Sequence, residues 1–228
     1  RDFLKHEPYE ISIKEIIERS SNVGTILATK DLDINYLENY LHKFGFGERT
    51  GVELTGENKG NFTKYNICTT CLSSLSIGYS VNVTQLQMVK AYSIIANGGK
   101  NINLSLIKKP IENSNVQQVV SPEMSEILRN LLINVVEGAN GTAKSLKLDN
   151  YIIGGKTGTS RTHIEGDGYS DFRYTTSFTG FIETSEGPVV GSIILWGASV
   201  NPASEYVTGG STAAPIFKTI VSNLVPGE

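Results

Sequence analysis

The stretch Tyr151-Ile152-Ile153-Gly154-Gly155-Lys156-Thr157-Gly158-Thr159-Ser160 decides how this chain is read. It has the pattern of a short apolar strand whose far end carries a lysine, two threonines and flanking glycines. At a sheet edge, such a strand offers a fixed cation, hydroxyl donors and open backbone N–H groups. That set suits a carboxylate-bearing acyl group. Gly158 has no side chain, so a ligand can lie against the strand, while Gly155 suits close packing with a neighbour. Taken alone, a solvated lysine at a strand end and glycines in a turn are ordinary features.

The order of elements around the stretch gives the fold class. Downstream, Tyr174 to Ile182 and Pro188 to Trp196 read as two strands joined by the turn 183–187. Between the motif and these strands, Arg161 to Arg173, rich in Gly, Asp and Thr, reads as a mobile loop bordering the groove, the alternative being a mobile hairpin connection. A last amphipathic helix is expected from about Thr212 to Leu224, with Ile216, Phe217, Ile220 and Leu224 on one side and Pro215 tolerated in its first turn. Upstream the periodicity is helical. Thr84-x-x-Gln87 fits a capping box for a helix ended by Gly98-Gly99, and its apolar residues cover most of the circumference. A further helix starts at Ser121-Pro122, presents Met124, Ile127, Leu128, Leu131 and Val135, and stops at Gly138. Another runs from about Tyr36 to Phe44 and ends at Gly45. These patterns predict an α/β (α+β) fold: a mainly helical region over 1–150, then antiparallel strands with a C-terminal helix over 151–228.

Near the start, Ser20-Ser21-Asn22 interrupts two helical stretches. These side chains compete for backbone hydrogen bonds, and their simplest role is an N-cap for the second helix.

Bulk properties exclude several classes. The 228 residues suffice for one good-sized domain, and a net charge of −3 argues against a nucleic-acid partner. No apolar run is long enough to span a bilayer. The chain opens Arg1-Asp2-Phe3 without methionine and is therefore read as a fragment. Cys68-Thr69-Thr70-Cys71 lacks the second ligand pair of a zinc site, and His6, His42 and His163 are scattered, so neither metal nor cofactor is expected. Two unpaired thiols are the default expectation; a loop disulfide would fit an oxidising compartment. Gly45 to Gly51 imitates a dinucleotide-binding loop, but its third glycine is one place late and a helix precedes it.

Lys-Thr-Gly and Ser-x-Asn are two of three elements shared by serine acyl-transfer enzymes of the penicillin-binding and β-lactamase type. Their surroundings extend the match. The segments 19–25, Phe44-Gly45-Phe46-Gly47, Ser76-Ile77-Gly78-Tyr79, Val83 to Gln87 and Ala96-Asn97-Gly98-Gly99 resemble the transpeptidase domain of class B penicillin-binding proteins. So do Glu137-Gly138, Gly141-Thr142-Ala143, 155–159, Ser177 to Phe181, Gly209-Gly210 and Ala213 to Phe217. Ser-Ser-Asn-Val-Gly resembles the division-specific (septal) branch, and a sporulation-type relative would look much the same here.

This resemblance implies a peptidoglycan D,D-transpeptidase on the extracytoplasmic side of a bacterial inner membrane, anchored by an upstream part. Its substrate would be a stem peptide ending in D-Ala-D-Ala, its inhibitors β-lactams, and its partners division-complex proteins. Carried onto this chain, it makes Ser20 a proton relay and gives Asn22 the substrate amide and the catalytic lysine to hold. Lys156 becomes the source of positive potential, and Thr157 and Thr159 the carboxylate-binding hydroxyls beside Gly158. The Thr159 N–H would serve as an oxyanion donor. Lys156 and Ser20 are expected to face a common cleft.

The third element, Ser-x-x-Lys with the nucleophile, is absent ahead of Ser20. Ser105-Leu106-Ile107-Lys108 has the spacing but the wrong order and context, leading to Pro110. Ser80 replaces a usual glycine, and Trp196-Gly197-Ala198 lacks a usual acidic residue. This polypeptide alone is therefore expected not to acylate, and to expose an apolar groove where the nucleophile helix belongs. The alternatives are a non-catalytic scaffold fragment of the division complex and a β-lactamase or sensor relative.

Overall fold

A computed structural model describes residues 2, 9–62, 71–79, 81–108, 116–164, 166, 168–199 and 207–224. The chain forms two compact units, Arg1–Ile127 and Leu128–Glu228. His6, Cys68, Ser80 and Pro110, singled out above, lie outside the described residues.

The first unit is mainly helical, with α1 (Ile13–Arg19), α2 (Asn22–Thr29), α3 (Ile34–Lys43), α4 (Cys71–Ser76) and α5 (Gln85–Ala96). Two short antiparallel ribbons join them, β1 (Asn61–Phe62) with β2 (Val81–Asn82) and β3 (Lys100–Asn101) with β4 (Gln117–Gln118). Ile16, Val52, Leu75, Ala91, Ile94 and Ala96 are buried here. The capping box at Thr84 forms as the sequence predicts. Its Gln87 goes further. The side chain is fully buried, accepts the Thr84 N–H, and donates to the carbonyls of Glu48 and Lys59 at 2.7 and 2.8 Å. One amide thus ties a helix start to two loops whose backbone groups would otherwise lack partners.

Helix α6 (Pro122–Glu137) starts and stops where expected, with the Ser121 hydroxyl accepting the Met124 N–H. Its buried positions are Ser125, Leu132, Val135 and Val136, whereas Met124 and Ile127 are exposed. The expected face is thus wrong in its first turns, where the Ser125 hydroxyl bonds the Ile95 carbonyl at 2.6 Å and turns that side inward.

The second unit is built on a three-stranded antiparallel sheet ordered β5 (Ile153–Ile164), β6 (Gly168–Ile182) and β7 (Val189–Ser199). Its strands are longer than the apolar pattern suggests. Lys156-Thr157-Gly158-Thr159 lies well inside β5, paired residue by residue with Thr179 to Thr176 of β6, rather than at the far end of a short strand. The supposed loop from Arg161 to Arg173 is mostly strand as well: Arg161 pairs with Tyr174, His163 with Tyr169 and Ile164 with Gly168. Cross-strand pairing extends a hairpin through polar residues that alternation alone does not flag.

Glycines let aromatic rings lie on this sheet. A Cβ on Gly154 would collide with Phe181, and one on Gly155 with Phe178 and the Thr179 carbonyl; one on Gly191 would come within 2.9 Å of Phe217. Phe178 and Phe217 meet edge to face, with centroids 4.8 Å apart. Phe217 belongs to α7 (Ala213–Leu224), whose buried face is Ala213, Ala214, Phe217 and Val221. Of the four positions expected to face inward, Ile216, Ile220 and Leu224 are exposed. The helix carries two apolar stripes, and the slot at Gly191 selects the one containing Phe217.

Cys71 is disulfide-bonded, which corrects the expectation of unpaired thiols. Among the described residues no helix is long and apolar enough to cross a membrane.

Candidate active site

The Ser-x-Asn segment is a tight corner between two helices of the first unit. Helix α1 ends with the Ser20 N–H on the Ile17 carbonyl (3.3 Å) and the Ser21 N–H on the Ile16 carbonyl (3.0 Å). This is the bond pattern of a Schellman ending, which normally uses glycine. Ser20 instead takes the left-handed conformation, φ 59°, one of two non-glycine residues with positive φ among those described. A side chain held there is strained, a state common at functional positions. Gly24 allows the corner to close, because a Cβ at that position would stand 2.7 Å from the Ile16 side chain.

The capping role expected of this segment falls on its middle residue. Ser21 Oγ accepts the Gly24 N–H at 2.9 Å and donates to Asp2 Oδ2 at 2.8 Å, while Asp2 Oδ1 accepts the Val23 N–H. The side chains of Ser20 and Asn22 make no hydrogen bond to a described residue, so they are free to meet a ligand.

In the second unit, alternation along β5 divides the motif. Lys156 and Gly158 share one face, opposite Thr179 and Ser177; Thr157 and Thr159 share the other. Lys156 is half-buried, and its ammonium donates to the Thr157 carbonyl at 3.3 Å, its one hydrogen bond among the described residues. Burial lowers its pKa from 10.5 to about 8. An enclosed ammonium with one long hydrogen bond is poorly compensated and attracts an anion or another acceptor. The open space expected at Gly158 is partly taken, since a Cβ there would strike the Ser177 hydroxyl.

The threonines are backed by a second layer that sequence reasoning missed. Thr157 Oγ1 lies 2.8 Å from Thr142 Oγ1, and Thr159 Oγ1 accepts the Gly209 N–H at 3.0 Å. Both partners lie in segments already notable in the sequence, Gly141-Thr142-Ala143 and Gly209-Gly210, but spacing along the chain gave no sign of where they fold. Ser105 hydrogen-bonds Glu53 in an irregular segment rather than standing on a helix, which agrees with reading Ser105 to Lys108 as a chance match. Among the described residues no group of three or more His, Cys, Asp or Glu could hold a metal ion.

The α+β arrangement is that of penicillin-binding-protein transpeptidase domains. Residues 1–222 match the profile of the penicillin binding protein transpeptidase domain, and the chain belongs to that family, in its class B branch. It is 31% identical to stage V sporulation protein D of Bacillus subtilis, over 93% of this chain and 34% of that protein. It is 29% identical to the probable peptidoglycan D,D-transpeptidase PbpC of Pseudomonas aeruginosa, over 93% of this chain and 36% of the relative. Penicillin binding protein 3 of Mycobacterium tuberculosis, solved with aztreonam, superposes with a TM-score of 0.82 at 27% identity, covering 98% of this chain and 53% of that one. The chain spans about a third of the length of the curated relatives it matches.

Proposed function

We propose that this chain is the Ser-x-Asn and Lys-Thr-Gly portion of a peptidoglycan D,D-transpeptidase that cross-links stem peptides during septal cell-wall synthesis. The observation that carries this reading is the Lys156 ammonium, enclosed, held by one long hydrogen bond and placed on the same edge strand as two threonine hydroxyls. The nucleophile is the serine of a Ser-x-x-Lys element in the parent polypeptide, so this chain alone does not acylate.

In the complete enzyme that serine adds to the carbonyl of the penultimate D-Ala. The terminal D-Ala leaves as the amine after Ser20 relays a proton to its nitrogen. An amine from a neighbouring stem then attacks the acyl-enzyme and surrenders a proton along the same route. Asn22 holds the substrate amide and the lysine of the Ser-x-x-Lys element. Lys156 supplies the potential that draws in the terminal carboxylate and favours deprotonated groups. Thr157 and Thr159 bind that carboxylate beside Gly158, and the Thr159 N–H is an oxyanion donor. β-Lactams, which mimic D-Ala-D-Ala, acylate the same serine. The parent protein is anchored in the inner membrane with this domain outside and works with division-complex partners.

Labelling of the full-length parent with a fluorescent penicillin tests the proposal. Covalent label should appear, vanish when the Ser-x-x-Lys serine is replaced, and form about a hundredfold more slowly in Lys156→Ala. A parent without Ser-x-x-Lys, or labelling indifferent to Lys156→Ala, would overturn it in favour of a scaffold.

A further inference from the structure

The carboxylate subsite of the proposed reaction rests on more than its two strand threonines. Thr142 Oγ1 sits 2.8 Å from Thr157 Oγ1, and either oxygen can be the donor. Thr142 is itself tightly fixed. On one side of it, a Cβ at Gly141 would clash with the Val135 carbonyl; on the other, the Ala143 N–H donates to that same carbonyl at 3.0 Å, and Ala143 is fully buried. Gly210 closes over the Thr142 carbonyl so tightly that a side chain there could not fit. The Ser145 hydroxyl then donates to the Gly210 carbonyl at 3.1 Å. A loop hydroxyl with this much backbone support is a fixed point from which β5 can be oriented.

Thr159 is arranged in the same way. Its oxygen accepts the Gly209 N–H, which leaves its own proton uncommitted among the described residues. Thr157 presents a proton only if Thr142 is the donor in their pair. If Thr157 donated to Thr142, lone pairs would face the ligand and repel an anion. A carboxylate therefore selects the chain Thr142 O–H to Thr157 O–H to carboxylate, in which each bond polarises the next.

We infer that Thr142 is a positioning and specificity residue for substrates bearing a free carboxylate, acting through the Thr157 hydroxyl. This rests on the transpeptidase reading, and the test separates the two. The full-length parent protein is assayed for its acylation rate with a β-lactam and with the methyl ester of the same compound, as wild type, Thr142→Val, Thr142→Ser, Thr157→Val and the double Val variant. Thr142→Val should slow acylation by the free acid about fivefold, the effect of one supporting hydrogen bond, and leave the ester rate unchanged. Thr142→Ser should restore the wild-type rate, and Thr142→Val should add no loss in the Thr157→Val background. Equal losses with acid and ester, failure of serine to rescue, or additive losses in the double variant would each overturn the inference. A wild type that takes no label at all defeats the transpeptidase reading instead.

Discussion

Ser21 caps Gly24: its hydroxyl takes the Gly24 N–H at 2.9 Å, and that one bond assigns the capping role within Ser20-Ser21-Asn22. The helix start is satisfied by the middle residue. The side chains of its neighbours on both sides hydrogen-bond to no described residue, and one of them holds a backbone conformation that a serine adopts only at an energetic cost.

Substitutions at adjacent serines should therefore diverge. Ser21→Ala is expected to lower stability by about 1 kcal/mol through loss of the cap. Ser20→Gly should raise stability by about 1 kcal/mol, because glycine relieves the left-handed strain, while slowing acylation in the full-length protein by about a hundredfold through loss of the relay hydroxyl. Thermal melts paired with penicillin labelling check both halves. A Ser20→Gly variant that is less stable and fully active would contradict them.

Gln87 is expected to be the least replaceable polar residue of the first unit. Gln87→Leu leaves the Thr84 N–H and the Glu48 and Lys59 carbonyls without their buried partner. The expected loss is about 3 kcal/mol, near 1 kcal/mol per hydrogen bond. Gln87→Glu should do worse still, since it keeps the cap acceptor but loses both donors and buries a charge. Urea unfolding followed by helical circular dichroism measures the difference; a midpoint unmoved by either change would show that the three contacts carry no stability.

Close packing beneath the rings makes Gly155 a structural support for Lys156. A Cβ at 155 would press on the Thr179 carbonyl at 2.6 Å and on Gly180 Cα at 2.8 Å, as well as on the Phe178 ring. Gly155→Ala should cost about 1–3 kcal/mol and displace the motif, so that acylation slows as stability falls. At Gly187, where φ is 115° and the space is open, alanine should cost about 1 kcal/mol through backbone strain and leave acylation unchanged.

Much of this architecture is legible in the sequence because local chemistry dictates it. Thr84 and Gln87 cap a helix wherever they occur at that spacing, Pro122 starts one, and 183–187 is a turn between two apolar runs. The parts that were not legible depend on partners remote in sequence. The β5–β6 hairpin runs out to Ile164 and Gly168 because strands pair across it, and no alternation marks those polar residues. Which stripe of α7 faces inward is set by Gly191, 26 positions before Phe217. For the candidate site, motif spacing points to Lys156, Thr157 and Thr159, whereas Thr142 and Gly209 become visible as their hydrogen-bond partners only when loops close over the strand. The segment reads as a cap in the sequence, but which residue caps stays open there: three adjacent polar residues all qualify, and backbone geometry chooses Ser21.

The lowered pKa of Lys156 predicts two pH effects in the same window. Folding moves this group from an ordinary 10.5 to about 8. Between those values the unfolded chain holds a proton that the folded chain has released, so the Lys156 contribution to stability rises with pH from about 8 to 10.5. Below 8 both states are charged, and the enclosed ammonium is a constant liability. Lys156→Met should therefore raise stability at pH 7 and flatten the rise between pH 8 and 10.5. Ligand binding should run the opposite way, because only the ammonium attracts a carboxylate. Acylation of the full-length protein by a free-acid β-lactam at low concentration should decline as pH rises through about 8, while the ester is spared. A bound carboxylate favours the charged amine, so at saturating β-lactam the decline should shift to higher pH. Acid and ester profiles that decline together would remove Lys156 from carboxylate recognition and leave it a purely structural lysine.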